Sequence, residues 1–152
     1  MTLRLLSTSF DHGASIPAKF TCEGANLSPA FEWPGAPAQT KSFMLLCLDP
    51  DAPSGTFHHW AAYNIPADCT GLKEGVKRRD SRFTQAVNDF GEGGYSGPCP
   101  PKGRLHHYHF RLSALSVGVL ALPKSASCTQ VMKAAEAFVI ETAELIGLYA
   151  RR

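Results

Sequence analysis

Two aspartates, two prolines and two histidines crowd residues 48–60, LDPDAPSGTFHHW, between two apolar stretches. A carboxylate beside an imidazole favours the ring's charged form, and histidine titrates near neutrality. Further along, GYSGPCPPKGRLHHY (94–108) adds two more histidines and a tyrosine behind a run of glycines and prolines. Two imidazoles and a phenol brought together would offer several donors to an oxyanion, best of all a phosphate. The aspartates would orient the rings or receive an ammonium group on the same ligand. The candidates are Asp49, Asp51, His59, His106 and Tyr108. To these the approach segment adds Gly97, where a ligand could come close to the main chain, and Pro101, which with Pro100 gives a rigid wall. Each residue also has an ordinary explanation. Aspartate beside proline is a normal turn residue, and a histidine where an apolar face ends is a normal rim residue.

The elements that must position these groups are short strands. KSFMLLCL (41–48) is a near-continuous apolar run with no room for a helix before Pro50, which predicts a buried strand ending at Asp49. HHWAAYNIPA (58–67) predicts a second, stopped by Pro66, with His59 in phase with Ala61, Tyr63 and Ile65. LHHYHFRLSAL (105–115) is the clearest. Its even positions (His106, Tyr108, Phe110, Leu112, Ala114) share one face, while His107, His109, Arg111 and Ser113 share the other. The interval from Cys69 to Arg104 is too long for an idle connection and predicts a functional loop region. After Pro123, Ser127 and Gln130 have the form of a capping box. Val131, Ala135, Phe138, Val139, Thr142, Leu145, Ile146 and Tyr149 lie on one helical stripe, which predicts a long C-terminal helix. The expected fold is mainly β with that helix, in one domain over residues 1–152.

Composition narrows the classes. Hydrophobic residues make up 44% of the 152 and charged residues 18%, with a net charge of +2, so nucleic acid is not an expected partner. The basic run Lys77, Arg78, Arg79 and Arg82 is broken by Asp80 and reads as a solvated loop. No stretch approaches the ~20 apolar residues of a membrane span, and the first residues are too short in apolar character for a signal peptide, so a cytoplasmic protein is expected. Five widely spaced cysteines without a C-x-x-C pair read as free thiols. GEGGYSG lacks the spacing of a dinucleotide fingerprint, and GYSGP is not a nucleophile elbow. His107-x-His109 has metal-ligand spacing, with Asp49, His58 and His59 as further ligands in principle, but it lies on the face opposite His106. Neither metal nor cofactor is expected.

Four blocks in register, ANLSPAFEW (25–33), TKSFMLLCLDPDAP (40–53), HHWAAYNIPA (58–67) and GYSGPCPPKGRLHHYHFRLSAL (94–115), resemble the phosphatidylethanolamine-binding protein family. Within it they are most similar to the bacterial and archaeal, Raf-kinase-inhibitor-like branch. The resemblance implies an antiparallel β-sandwich of a large and a small sheet with flanking helices. It also implies a small cavity for phosphate-type anions, including phospholipid head groups. The family's cavity positions fall on Asp49 with Asp51 beside it, His59, His106, Tyr108 and Pro101, with Gly97 nearby. The expected function is therefore a non-enzymatic binding protein that takes a small anionic ligand, modulates a protein partner and forms a homodimer. Two rivals differ in kind: a hydrolase using the Asp/His/Tyr cluster for acid–base chemistry, and a protease or kinase inhibitor acting through the loops at 53–58 and 94–104.

Overall fold

The apolar run before Asp49 becomes β2 (Ser42–Asp49), every residue of it buried, at the centre of a five-stranded antiparallel sheet. The computed structural model describes residues 2–152, so the first residue of the expected domain lies outside the described residues. β2 lies between β3 (Phe57–Pro66) and β6 (Leu105–Leu115), and the sheet is completed by β5 (Thr84–Gln85) outside β3 and β7 (Val139–Ala150) outside β6. A second, two-stranded sheet pairs β1 (Phe31–Glu32) with β4 (Gly71–Leu72).

Two apolar layers account for the burial of β2 on both faces. Phe43, Leu45 and Cys47 pack with Trp60, Phe110, Leu112 and the small-sheet residues Phe31 and Leu72 in the inner layer. Met44, Leu46 and Leu48 pack with Ala61, Tyr63 and the helix residues Cys128, Val131 and Ala135 in the outer one. β6 alternates as its sequence predicts: His106, Tyr108, Phe110, Leu112 and Ala114 are all buried, while Leu105 and His107 are exposed.

β3 departs from simple alternation. Trp60 lies opposite Cys47 and His58 opposite Leu48, so His59 has no partner on β2 and forms a bulge. Ala61 and Tyr63 therefore face the helix layer, whereas His59 turns inward. The expectation that His59 shares a face with Ala61 and Tyr63 is corrected by this extra residue, since a bulge resets the period of two.

The capping box is present: Ser127 Oγ accepts from the Gln130 N–H at 3.2 Å and Gln130 Oε1 accepts from the Ser127 N–H at 2.8 Å. The helix it starts, α1 (Cys128–Ala135), is shorter than the stripe predicts. After a 3-10 turn (Glu136–Phe138) the chain becomes β7, hydrogen-bonded along β6 from Ala150 to Val139. The β-branched Val139, Ile140 and Thr142 favour a strand, and pairing with β6 overrides the helical spacing downstream. Gly147 shows the fit: a Cβ there would stand 2.5 Å from Ile16 Cγ1.

Two of the five cysteines are bonded to each other, which corrects the expectation of free thiols. Cys22 and Cys99, separated by 77 positions, form a disulfide, while Cys47, Cys69 and Cys128 are free. The fold lays residues 20–26 against residues 95–98: Cys22 N–H donates to Pro98 O (3.1 Å), Tyr95 Oη–H to Phe20 O (2.6 Å) and Gly97 N–H to Asn26 Oδ1 (2.7 Å). Among the described residues, no helix is long and apolar enough to cross a membrane.

Candidate functional site

Asp49 is the last residue of β2 and continues the inward series of Phe43, Leu45 and Cys47. Its Oδ2 accepts a hydrogen bond from His106 Nδ1 at 2.6 Å, between side chains that are 4% and 3% exposed. Its other oxygen accepts the Asp51 N–H at 2.9 Å, which fixes the carboxylate as the chain turns out of the strand. A buried carboxylate is tolerable because both oxygens are hydrogen-bonded, one of them to an imidazole.

The β3 bulge brings His59 to the same place. Its Nδ1–H donates to Ser96 O at 2.7 Å, so the ring is held as the tautomer whose Nε2 is free. Burial lowers its pKa below the ordinary value, and the Ser96 and Gly97 main chain and the charges of Asp49 and Asp89 offset this only in part. His59 accordingly enters the site as a neutral imidazole near neutrality. Tyr108 lies between the histidines, its ring centroid 5.4 Å from that of His59 and 6.3 Å from that of His106. Its hydroxyl is buried and makes no well-formed hydrogen bond among the described residues, although it lies close enough to Asp49 to be drawn towards that carboxylate. Burial, with the negative charge of Asp49 in support, pushes its pKa far up, so the group remains a donor.

These side chains form the floor of a cavity of about 110 Å³, lined by Asp49, His59, His106 and Tyr108 below and by Ala52, Pro53, Phe57, Phe90, Cys99, Pro100 and Pro101 around them. Floor and wall come from five stretches of chain: the ends of β2, β3 and β6, the turn at 88–92 and the segment at 97–101. A larger groove of about 1130 Å³ borders β4 and the loop at 73–82, and its Arg82 and Asp80 are paired with each other.

Of the residues singled out from sequence, Asp49, His59, Pro101, His106 and Tyr108 line the cavity. Asp51 and Gly97 stand outside it. Asp51 is exposed, and its Oδ2 accepts both the N–H and the Nδ1–H of His107, at 2.8 and 2.7 Å. Those bonds lower its pKa. Gly97 is needed for close packing rather than for ligand approach, because a Cβ there would lie 2.0 Å from Phe20 O. His107 and His109 face away from the cavity as predicted, against Asp51 and Glu144. Sequence reasoning did not single out Phe57 or Phe90. Phe90 left one usable signal, a large aromatic inside the polar, glycine-bearing NDFGEGG.

Known proteins share this fold. The phosphatidylethanolamine-binding protein family profile matches residues 6–150. A UPF0098 protein of Methanothermobacter thermautotrophicus is 46% identical over 98% of this chain and 99% of its own, and one of Aquifex aeolicus is 43% identical over 98% and 89%. Among solved structures, Escherichia coli YbcL, described as a new member of the mammalian PEBP family, superposes with a TM-score of 0.94 at 35% identity over 100% of both chains. CT736 of Chlamydia trachomatis, described as a homolog of that family, gives 0.90 at 35% identity over 99% of both. A match of this length and identity makes the chain a member of the phosphatidylethanolamine-binding protein family.

Proposed function

We propose that this chain is a non-catalytic binding protein whose cavity holds a phosphate-bearing or other small anion. The observation that carries the reading is the Tyr108 hydroxyl, buried without a well-formed hydrogen bond between two imidazoles whose Nδ1 atoms are already engaged. Leaving such a hydroxyl unsatisfied costs about 1–3 kcal/mol, and a bound oxyanion would supply the missing acceptor. Both Nε2 atoms are left free to face a ligand, and that of His59 becomes a donor when its neutral ring takes up a proton, so anion uptake is coupled to proton uptake. We also propose that the protein works as a homodimer and modulates a protein partner through the loops at 53–58 and 94–104. Pro53, Phe57 and Cys99–Pro101 belong to those loops and to the cavity wall alike, so a partner seated there would sense occupancy.

Calorimetric titration with inorganic phosphate and phosphoethanolamine at pH 6 and 8 tests the reading. Binding is expected to be tighter at pH 6, to weaken about tenfold or more in Tyr108→Phe, and to be lost in His106→Ala. Absence of binding by folded wild type overturns it. The hydrogen-bonded Asp49–His106 pair is also what a general base requires. Turnover of p-nitrophenyl phosphate that is lost in His106→Ala would replace the binding reading with an enzymatic one. The disulfide bears on the compartment, since such bonds persist in oxidising surroundings. Acid-trapped alkylation of the protein in its own cells decides between the expected cytoplasm and export.

A further inference from the structure

The cavity has a polar floor and an apolar mouth, and the two make different demands on a ligand. This inference rests on the anion reading above and narrows it. Among the described residues, no lysine or arginine lines the cavity; beside Asp49 it holds the imidazoles of His106 and of His59, the latter neutral until an anion brings a proton with it. With Asp49 already opposite His106, the floor has no surplus positive charge for a second ligand charge. Burying a charge without a partner is costly, which favours a singly charged head.

The mouth offers nothing to an ammonium group. The one carboxylate among the described lining residues, Asp49, lies in the floor with both oxygens engaged, by His106 (2.6 Å) and by the Asp51 N–H (2.9 Å). Asp51 and Asp89 stand outside the lining, paired with His107 (2.7 Å) and His58 (2.8 Å). What remains facing a ligand is Pro53, Phe57, Phe90, Pro100 and Pro101. Phe90 is 47% exposed, although its ring stands edge-on to Phe57 at 4.7 Å and to His59 at 5.6 Å. A large aromatic left that open on a mobile loop would mean little, but this one is held in a pinned turn. Asn88 Oδ1 accepts the Phe90 and Glu92 N–H groups, and Asn88 Nδ2 reaches Gly94 O and Ser96 Oγ. The Asp89 N–H donates to His58 O, while Asp89 Oδ2 accepts from the His58 main chain and ring. The turn is thus fastened to the strand end that carries His59.

We propose that the cavity selects a singly charged oxyanion whose adjoining group is apolar, and that Phe90 is the residue that reads that group. A zwitterionic head such as phosphoethanolamine gains nothing beyond its anion. Organic phosphates in their singly charged form and carboxylates both fit this description, and the test separates them.

The titrations are run at pH 5, where a phosphate monoester still holds its second proton (pKa about 6) and every probe carries one negative charge on its oxyanion. Phenyl phosphate, benzoate, phosphoethanolamine and inorganic phosphate are titrated in parallel into wild type, Phe90→Ala and Phe90→Leu. Phenyl phosphate is expected to bind on the order of tenfold more tightly than inorganic phosphate, the gain of covering a small apolar area, and phosphoethanolamine no more tightly than inorganic phosphate. The readout is the ratio of phenyl phosphate to phosphate affinity, which should collapse in Phe90→Ala and largely return in Phe90→Leu. Benzoate exceeding phenyl phosphate would assign the site to carboxylates, and the reverse to phosphates; either agrees with the proposal. Phosphoethanolamine binding as tightly as phenyl phosphate, or a ratio unchanged in Phe90→Ala, overturns it while leaving the anion reading intact. Failure of all four ligands to bind overturns both.

Discussion

The cross-link between Cys22 and Cys99 should supply a large part of the stability of this fold. Its 77-residue separation sets the magnitude. Closing a loop of that length in the unfolded chain removes conformational freedom worth ~4.5 kcal/mol on the chain-entropy account. Domains of this size are stable by only about 5–15 kcal/mol in total, so the loss would be severe but survivable. In a thermal scan it corresponds to roughly 10–15 °C. The bond is also open to reductant, because Cys22 is exposed. The assay is equilibrium urea unfolding of wild type, oxidised and reduced, beside the Cys22→Ser/Cys99→Ser variant. Thiol counts on unfolded protein check the states, with three expected when oxidised and five when reduced. If the effect acts through the unfolded chain, the midpoint should fall and the m-value should rise as that chain expands. The Pro98–Pro101 wall keeps other anchors, including the Cys22 N–H to Pro98 O bond and Arg151 Nε–H to Pro100 O (3.0 Å), so the folded state should persist. A destabilisation below ~1 kcal/mol with m unchanged would refute the reasoning, since a loop this long cannot be closed so cheaply.

Two further outcomes follow from the site. Burial depresses the pKa of His59, so below the ordinary value of about 6.5 the unfolded chain takes up a proton that the folded one refuses. Its contribution to stability is therefore present above about pH 6.5 and is lost as pH falls towards the depressed folded value. The slope is at most ~1.4 kcal/mol per pH unit for one proton. Urea melts of wild type and His59→Asn across pH 5–8 should show this slope only in wild type, and parallel curves would show that the ring titrates freely. Gly97→Ala should cost at least ~2 kcal/mol, because the new Cβ meets the Phe20 carbonyl at 2.0 Å and backbone cannot step aside as a side chain can. A cost under ~0.5 kcal/mol in the same urea assay would mean that the 95–98 segment can shift without strain.

How much could be read from sequence depended on how local the determining contact was. β6 was legible throughout, since one unbroken alternation carries His106 and Tyr108 to the inner face. Asp49 was legible because β2 is buried on both faces up to its last residue. The C-terminal segment misled because Val131, Ala135, Phe138 and Leu145 recur at helical spacing. What decides it is β6, which lies along β7 from Leu115 to Leu105. The weaker local signal was the inward series Ala143, Leu145, Gly147 and Tyr149, in which two small residues hide the alternation. The disulfide was illegible for a simpler reason: spacing along a chain does not say which loops meet. Phe90 was missed because an aromatic in a polar turn looks like a surface accident until Phe57 and His59 are seen beside it.

His59 is the instructive case, because the right residue was reached through the wrong geometry. Strict alternation with the buried Ala61 and Tyr63 would aim it at the helix layer, away from His106. Trp60 already occupies the inner face opposite Cys47, so two successive residues can both point inward only if the strand gains a residue there. The bulge is that extra residue, and its unpaired backbone is the cost of putting an imidazole into the cavity without moving the tryptophan. A second irregularity, between Ala62 and Ile65, serves packing instead. It sets Asn64 in left-handed backbone (φ 57°), where its Oδ1 accepts the Leu120 N–H at 2.7 Å and ties the sheet to the outer layer. The same backbone device is thus used twice in one strand, and only the one at the cavity carries an imidazole. Where the period of two fails beside a pocket, the failure itself marks the residue that the site required.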